Sequence, residues 1–122
     1  MNPFHIEYVA QGRGHQYGGN HTFDGDSGSC SGGNRNGSTA YEPGSGSTIQ
    51  AYAGICGNDN LQTNSDPYFH LISLMEMRTH VTTGSGGTCG TEGTTTNTTP
   101  TANANVEGIT GKMIPASTSF EL

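Results

Sequence analysis

Between residues 22 and 65 no apolar pattern recurs at the 3.6-residue spacing of a helix or the two-residue alternation of a strand. Turn chemistry takes its place. Asp24-Gly25-Asp26, Ser31-Gly32-Gly33-Asn34 and Pro43-Gly44-Ser45-Gly46 follow one another, and the one apolar stretch is Ile49 to Ile55. An irregular segment this long inside a domain is expected to carry function or to be stapled by a disulfide or a metal. Apolar burial is in short supply. Leu, Ile, Val and Phe together make 17 of 122 residues, below the roughly 20% that marks chains with little to bury. Net charge is only −6, so the composition is not that of a charged disordered tail either.

The length allows one domain at most. Four Lys and Arg stand against ten Asp and Glu, which leaves no electrostatic footprint for nucleic acid or an anionic membrane. No apolar run approaches the ~20 residues of a membrane span, and no basic, apolar signal segment opens the chain. Low charge, few Lys and abundant Thr and Asn point to a secreted, extracellular protein, where disulfides persist. The three cysteines, Cys30, Cys56 and Cys89, leave one without a partner in the chain.

Two helices are predicted. Pro3 suits a first turn and Phe4, Tyr8 and Val9 give a partial apolar face over residues 1–10. Gly12, Gly14, Gly18 and Gly19 then end the helix by about Gly18. Ser73 and Glu76 have the form of a capping box before Leu74, Met75, Met77 and Val81, with Gly84 as C-cap. Residues 84–103 read as a Gly/Thr/Asn linker. From residue 104, Val106, Ile109, Met113, Ile114 and Phe120 are spaced like strands.

The chemistry-bearing run is His15-Gln16-Tyr17-Gly18-Gly19-Asn20-His21. A His-x-x-Gly-x-x-His spacing puts one imidazole on the last turn of a helix. The glycine lets the backbone reverse through conformations that a β-carbon disfavours, and the second imidazole swings towards the same point. A metal site and a pair of solvated loop histidines both fit this spacing alone. His5, His70 and His80 stand in no ligand spacing. Asp24 to Ser29 lacks the terminal bidentate acid of a calcium loop, so calcium is not expected.

Longer words narrow the reading. Tyr8-Val9-Ala10, His15 to Phe23, Gly28-Ser29-Cys30, Ala40 to Ile49, Ala51 to Gly57 and Asn64 to His70 occur in an order that resembles the reprolysin-like metzincin zinc peptidases, particularly their bacterial secreted members. The resemblance covers residues 3–84 and corresponds to the C-terminal half of such a catalytic domain, so the family's upstream substrate-binding sheet is expected to be missing. It implies an α+β fragment, mostly irregular. Residues 1–83 would be the lower subdomain with two short helices, 84–103 a linker, and 104–122 the beginning of a β-sandwich-like module, with its first strand near Ile114 to Thr118. It also implies a disulfide between Cys30 and Cys56, and a Cys89 whose family partner lies in the upstream sheet, which leaves it here as a free thiol or an intermolecular bridge.

Carried over by position, the resemblance makes His15 and His21 the second and third zinc ligands and Gly18 the turn glycine. The first ligand position holds Gln11, a weak donor. The general-base position holds Gly12, and the methionine of the tight turn beneath the metal is Gln50. Catalytic zinc in this class needs three protein ligands and an open position for water, with a carboxylate to take the water's proton. The sequence therefore predicts weak zinc binding and no hydrolysis.

Three functions follow: an inactive fragment or variant of a secreted zinc endopeptidase with protein or peptide substrates by resemblance; an extracellular structural protein that self-associates into an oligomer or filament, for which the Thr-rich, low-charge composition suits stacked strands; and a module that captures peptides without cutting them. Tyr41, Tyr52, Tyr68 and Phe69 are expected in the core of residues 1–83.

Overall fold

The computed structural model describes residues 5–91 and 93–98. The chain divides into two units after Thr91. In the second unit, residues 93–98 carry no regular element. The strand-like spacing expected over residues 104–122 lies outside the described residues.

Among the described residues the regular elements are two α-helices, a π-helical turn over His5–Ala10, and three 3-10 turns at Gly28–Cys30, Gly57–Asp59 and Ser85–Thr88. Helix α1 spans Gln11–Gln16 and α2 spans Leu71–Thr82. There is no strand among these residues. An isolated parallel bridge joins Phe23 to Glu42. The described residues are thus mostly irregular, as the 22–65 segment predicts, with the two α-helices on either side of that segment.

The helix starts differ in detail from the sequence reading. The wide turn His5–Ala10 runs directly into α1, because Ala10 keeps helical angles (φ −68°, ψ −41°). Helix α2 begins before the Ser73–Glu76 capping box. His70 is its N-cap, and the ring Nδ1 accepts a hydrogen bond from the Ile72 N–H at 3.2 Å. Ser73 is fully buried inside the helix, and Glu76 is drawn away to Asn20. At the other end Thr83 is the C-cap, with Gly84 following and donating to the Thr79 carbonyl.

The core is small and built from the loops. Phe23, Cys30 and Cys56 are buried together, and Tyr52 stacks on Phe23 with ring centroids 4.7 Å apart. Cys30 and Cys56 form a disulfide with a Cα separation of 5.1 Å, and Cys89 is free and exposed. Of the tyrosines expected inside, only Tyr52 joins this cluster. Tyr41 and Tyr68 are more than half exposed: Tyr41 stacks on His70 with centroids 5.9 Å apart, and the Tyr68 hydroxyl donates to the Asp66 carboxylate at 3.1 Å.

A buried carboxylate organises that backbone. Glu42 Oε1 accepts from the N–H groups of Ser47 (2.9 Å) and Thr48 (3.0 Å), and Oε2 accepts from the hydroxyls of Thr22 and Thr48. Four donors on one carboxylate replace the ladder bonds that a strand would supply. The main chain of Glu42 bonds to both neighbours of Phe23: its N–H donates to the Thr22 carbonyl and its carbonyl accepts from Asp24. This carries the chain from His21 into the core.

Candidate functional site

His15 lies on the last turn of α1. The helix closes with a Schellman pattern in which Gly18 donates to the His15 carbonyl (3.0 Å) and Gly19 to the Gly14 carbonyl (2.9 Å). Gly18 takes φ +84°, the left-handed region in which a β-carbon is strained. This reversal returns the chain through Asn20 to His21. The Nε2 atoms of His15 and His21 then face one another at 3.1 Å, with the rings edge-on at 83°. Spacing and geometry agree: the two histidines converge on one point.

Each ring is held from behind. His21 Nδ1 lies 2.6 Å from the Asn34 carbonyl, and a carbonyl only accepts, so that nitrogen carries the proton and Nε2 is bare. His15 Nδ1 lies 2.7 Å from the Gly19 carbonyl and 3.2 Å from Gln50 Nε2. Backbone carbonyls behind ring nitrogens are the arrangement that orients metal-ligating histidines. His21 also packs its ring on Tyr52, at 4.5 Å between centroids. Burial pushes the His21 imidazole below its ordinary value. The Asn34 carbonyl works against that shift, and the neighbouring His15 adds to it.

Gln11 does not complete the set. Its amide nitrogen donates to the Ala51 carbonyl at 3.2 Å, bracing α1 against the segment after Gln50. Position 12 carries no side chain, and a β-carbon built there would meet nothing within 4 Å. Gln50 is fully buried under the histidines. Its Nε2 donates to the Gly19 carbonyl at 3.1 Å, and its Oε1 has no partner. Gly14 makes room for it, since a β-carbon there would stand 2.5 Å from Gln50 Oε1.

The donor set decides what the site can hold. Two imidazole nitrogens on one tetrahedral zinc, bonded at about 2.0–2.1 Å, stand roughly 3.3–3.4 Å apart. The 3.1 Å between His15 and His21 is close to that separation. A third protein ligand is lacking, for no group of three or more His, Cys, Asp or Glu able to hold a metal exists among the described residues. The residues therefore fit a two-imidazole site. They do not fit a hydrolytic zinc centre, which also needs the third ligand and a base.

Two recesses lie in this part of the molecule, and one of them reaches the histidine pair. One of about 170 Å³ is lined by Glu7, Tyr8, Gln11, Tyr52, Ile55 and Ser65. The other, of about 480 Å³, is polar and runs from His15 and His21 along Asn34 to Gly37. Asn34 is a residue the sequence reading missed. It acts through its backbone carbonyl, which leaves no side-chain signal, while its own side chain ties the loop down by donating to the Ser29 carbonyl at 2.9 Å.

No curated protein and no solved structure matches the chain. The family model described as metallo-peptidase family M12B, reprolysin-like, matches residues 1–75. That span contains both histidines, the glycine reversal between them, the disulfide and the turn bearing Gln50, and the chain belongs to the reprolysin-like M12B metallopeptidase family.

Proposed function

We propose that the protein is a secreted, reprolysin-like scaffold that keeps a weak two-imidazole metal site on His15 and His21 and has lost peptide hydrolysis. The observation that carries this reading is the convergence of the two Nε2 atoms at 3.1 Å with no carboxylate at position 12. A zinc ion, when bound, supplies Lewis acidity and an acidified water. Of the chain's own residues, His15 and His21 hold the ion. Asn34 and Gly19 orient the rings. Gly12 offers nothing to accept a proton. The Cys30–Cys56 disulfide supports an oxidising, extracellular location. The acidic balance speaks against nucleic acid as a partner. Among the described residues no helix is long and apolar enough to cross a membrane.

Cobalt(II) titration tests the site, because its visible spectrum reports nitrogen ligation directly. The unaltered chain binds one cobalt weakly, and His15→Ala or His21→Ala abolishes the signal. Gln11→His adds a third imidazole and raises affinity by at least tenfold. Cobalt absorption that survives the loss of both histidines would refute the assignment.

A further inference from the structure

Both imidazoles spend their ring protons on the chain itself. His15 Nδ1 donates to the Gly19 carbonyl at 2.7 Å, which also accepts from Gln50 Nε2, and His21 Nδ1 donates to the Asn34 carbonyl at 2.6 Å. Each Nε2 is therefore a bare lone pair, and the two oppose one another at 3.1 Å. A cation between them satisfies both. The chain offers that cation two ligands, for among the described residues no group of three or more His, Cys, Asp or Glu could hold a metal. A structural zinc site takes four. The surroundings leave room for the other two to arrive from outside. His15 is exposed and His21 half-buried. The polar recess of about 480 Å³ opens beside both rings, with a wall that runs from Gly33 to Gly37. A β-carbon added at Gly32 or Gly33 would meet nothing within 4 Å. Gly12, three residues before His15 and so on the same face of α1, is equally bare. Arg35, the long side chain on that wall, is drawn to Asp24 at 2.9 Å.

We propose that the His15–His21 pair is half of a metal site that a second copy of this chain completes, so that one zinc ion held by four imidazoles joins two chains. This rests on the two-imidazole site proposed above. A second copy brings an identical bare pair. Under two-fold symmetry a patch faces itself, and two imidazoles from each side make the four ligands of a closed site. Each chain carries a net charge of −6, so the copies repel one another without the ion. The doubly charged cation offsets that repulsion where they meet, which makes the association dependent on metal.

The test is analytical sedimentation of the full chain carrying Cys89→Ser, which removes the exposed free thiol as a route to covalent dimers, together with cobalt(II) spectroscopy. With chelator the protein sediments as a single chain. Half an equivalent of zinc doubles the mass, and His15→Ala or His21→Ala loses the doubling. Dilute protein with cobalt in excess binds one ion per chain, whereas concentrated protein with cobalt limiting shares one ion between two chains. A concentrated sample that saturates at one ion per chain, with the mass of a single chain throughout, overturns the proposal and leaves the two-imidazole site standing. A zinc-dependent dimer that persists in both histidine variants also overturns it. If the unaltered chain gives no cobalt absorption at any ratio, the two-imidazole site itself is the reading that fails, and the shared site fails with it.

Discussion

Glu76 on α2 takes both amides of Asn20, accepting from its backbone N–H at 2.8 Å and from its side-chain Nδ2 at 2.6 Å. Asn20 immediately precedes His21, so this clamp ties the second helix to the loop that presents the second imidazole. The pair is open to solvent, which limits its strength. Glu76→Ala should destabilise the fold by about 1 kcal/mol, as for a typical hydrogen bond, and should broaden the His21 ring signals in NMR. Glu76→Gln keeps one acceptor and should cost about half as much. Chemical denaturation with NMR linewidths checks both.

Glu42 should set the acid limit of stability. Burial opposes its ionisation, but hydrogen bonds from the Thr22 and Thr48 hydroxyls and from the Ser47 and Thr48 amides outweigh this and hold its carboxyl below the ordinary value of 4.5. A group with a lowered folded-state pKa binds more protons when unfolded. Its contribution is complete above the unfolded value and fades as pH falls through the folded one. Urea midpoints should therefore stay level above about pH 5 and drop below about pH 4. Glu42→Gln should lose roughly 2–4 kcal/mol near neutrality, from the disrupted buried network, and should flatten the acid slope.

The Cys30–Cys56 bridge closes a loop with a sequence separation of 26. In the chain-entropy model that constraint stabilises by about 3.5 kcal/mol. With a core of so few apolar side chains, reduction should unfold residues 22–65 at room temperature. Thiol titration of the denatured, unreduced protein should find one reactive group, Cys89, and three after reduction. Circular dichroism before and after reductant tests the structural half.

Gly14 and Gln50 should be energetically coupled. A β-carbon at position 14 would lie 2.5 Å from Gln50 Oε1 and 2.7 Å from Cδ. Overpacking of this kind costs typically 1–3 kcal/mol, which offsets the ~1 kcal/mol that Ala gains over Gly inside a helix. Gly14→Ala should thus destabilise the unaltered chain and cost less in a Gln50→Ala background, where Phe69 Cε1, 3.0 Å from the new β-carbon, still crowds it. A double-mutant cycle by denaturation measures that coupling. Strict additivity would contradict it.

The spacing around His15 is legible in the sequence, whereas the long-range contacts that hold the site together are not. The His15–Gly18–His21 spacing is short-range chemistry on a helix end, so the reversal and the convergence both follow from adjacent residues. Gln50 could be placed by resemblance, but its hydrogen bond to the Gly19 carbonyl spans 31 positions and has no periodicity to betray it. The Asn34 carbonyl is a backbone group, which any residue carries. Glu76 fitted a capping box by its distance from Ser73, but its partner, Asn20, lies 56 positions away. His70, an unusual cap, took the role instead. Tyr41 and Tyr68 were expected in the core on size alone. A fold that packs backbone around a buried carboxylate has no apolar layer to receive them.

Cleavage of an unfolded, generic protein substrate in the presence of zinc, with and without chelator, addresses the central claim most directly. Loss of a general base alone costs ~10²–10⁴-fold, and a two-ligand metal site weakens catalysis further. The unaltered chain should therefore show no chelator-sensitive turnover, although His15 and His21 still meet at 3.1 Å. Turnover that chelator abolishes, and that His15→Ala or His21→Ala also removes, would contradict the account of a peptidase scaffold without its chemistry.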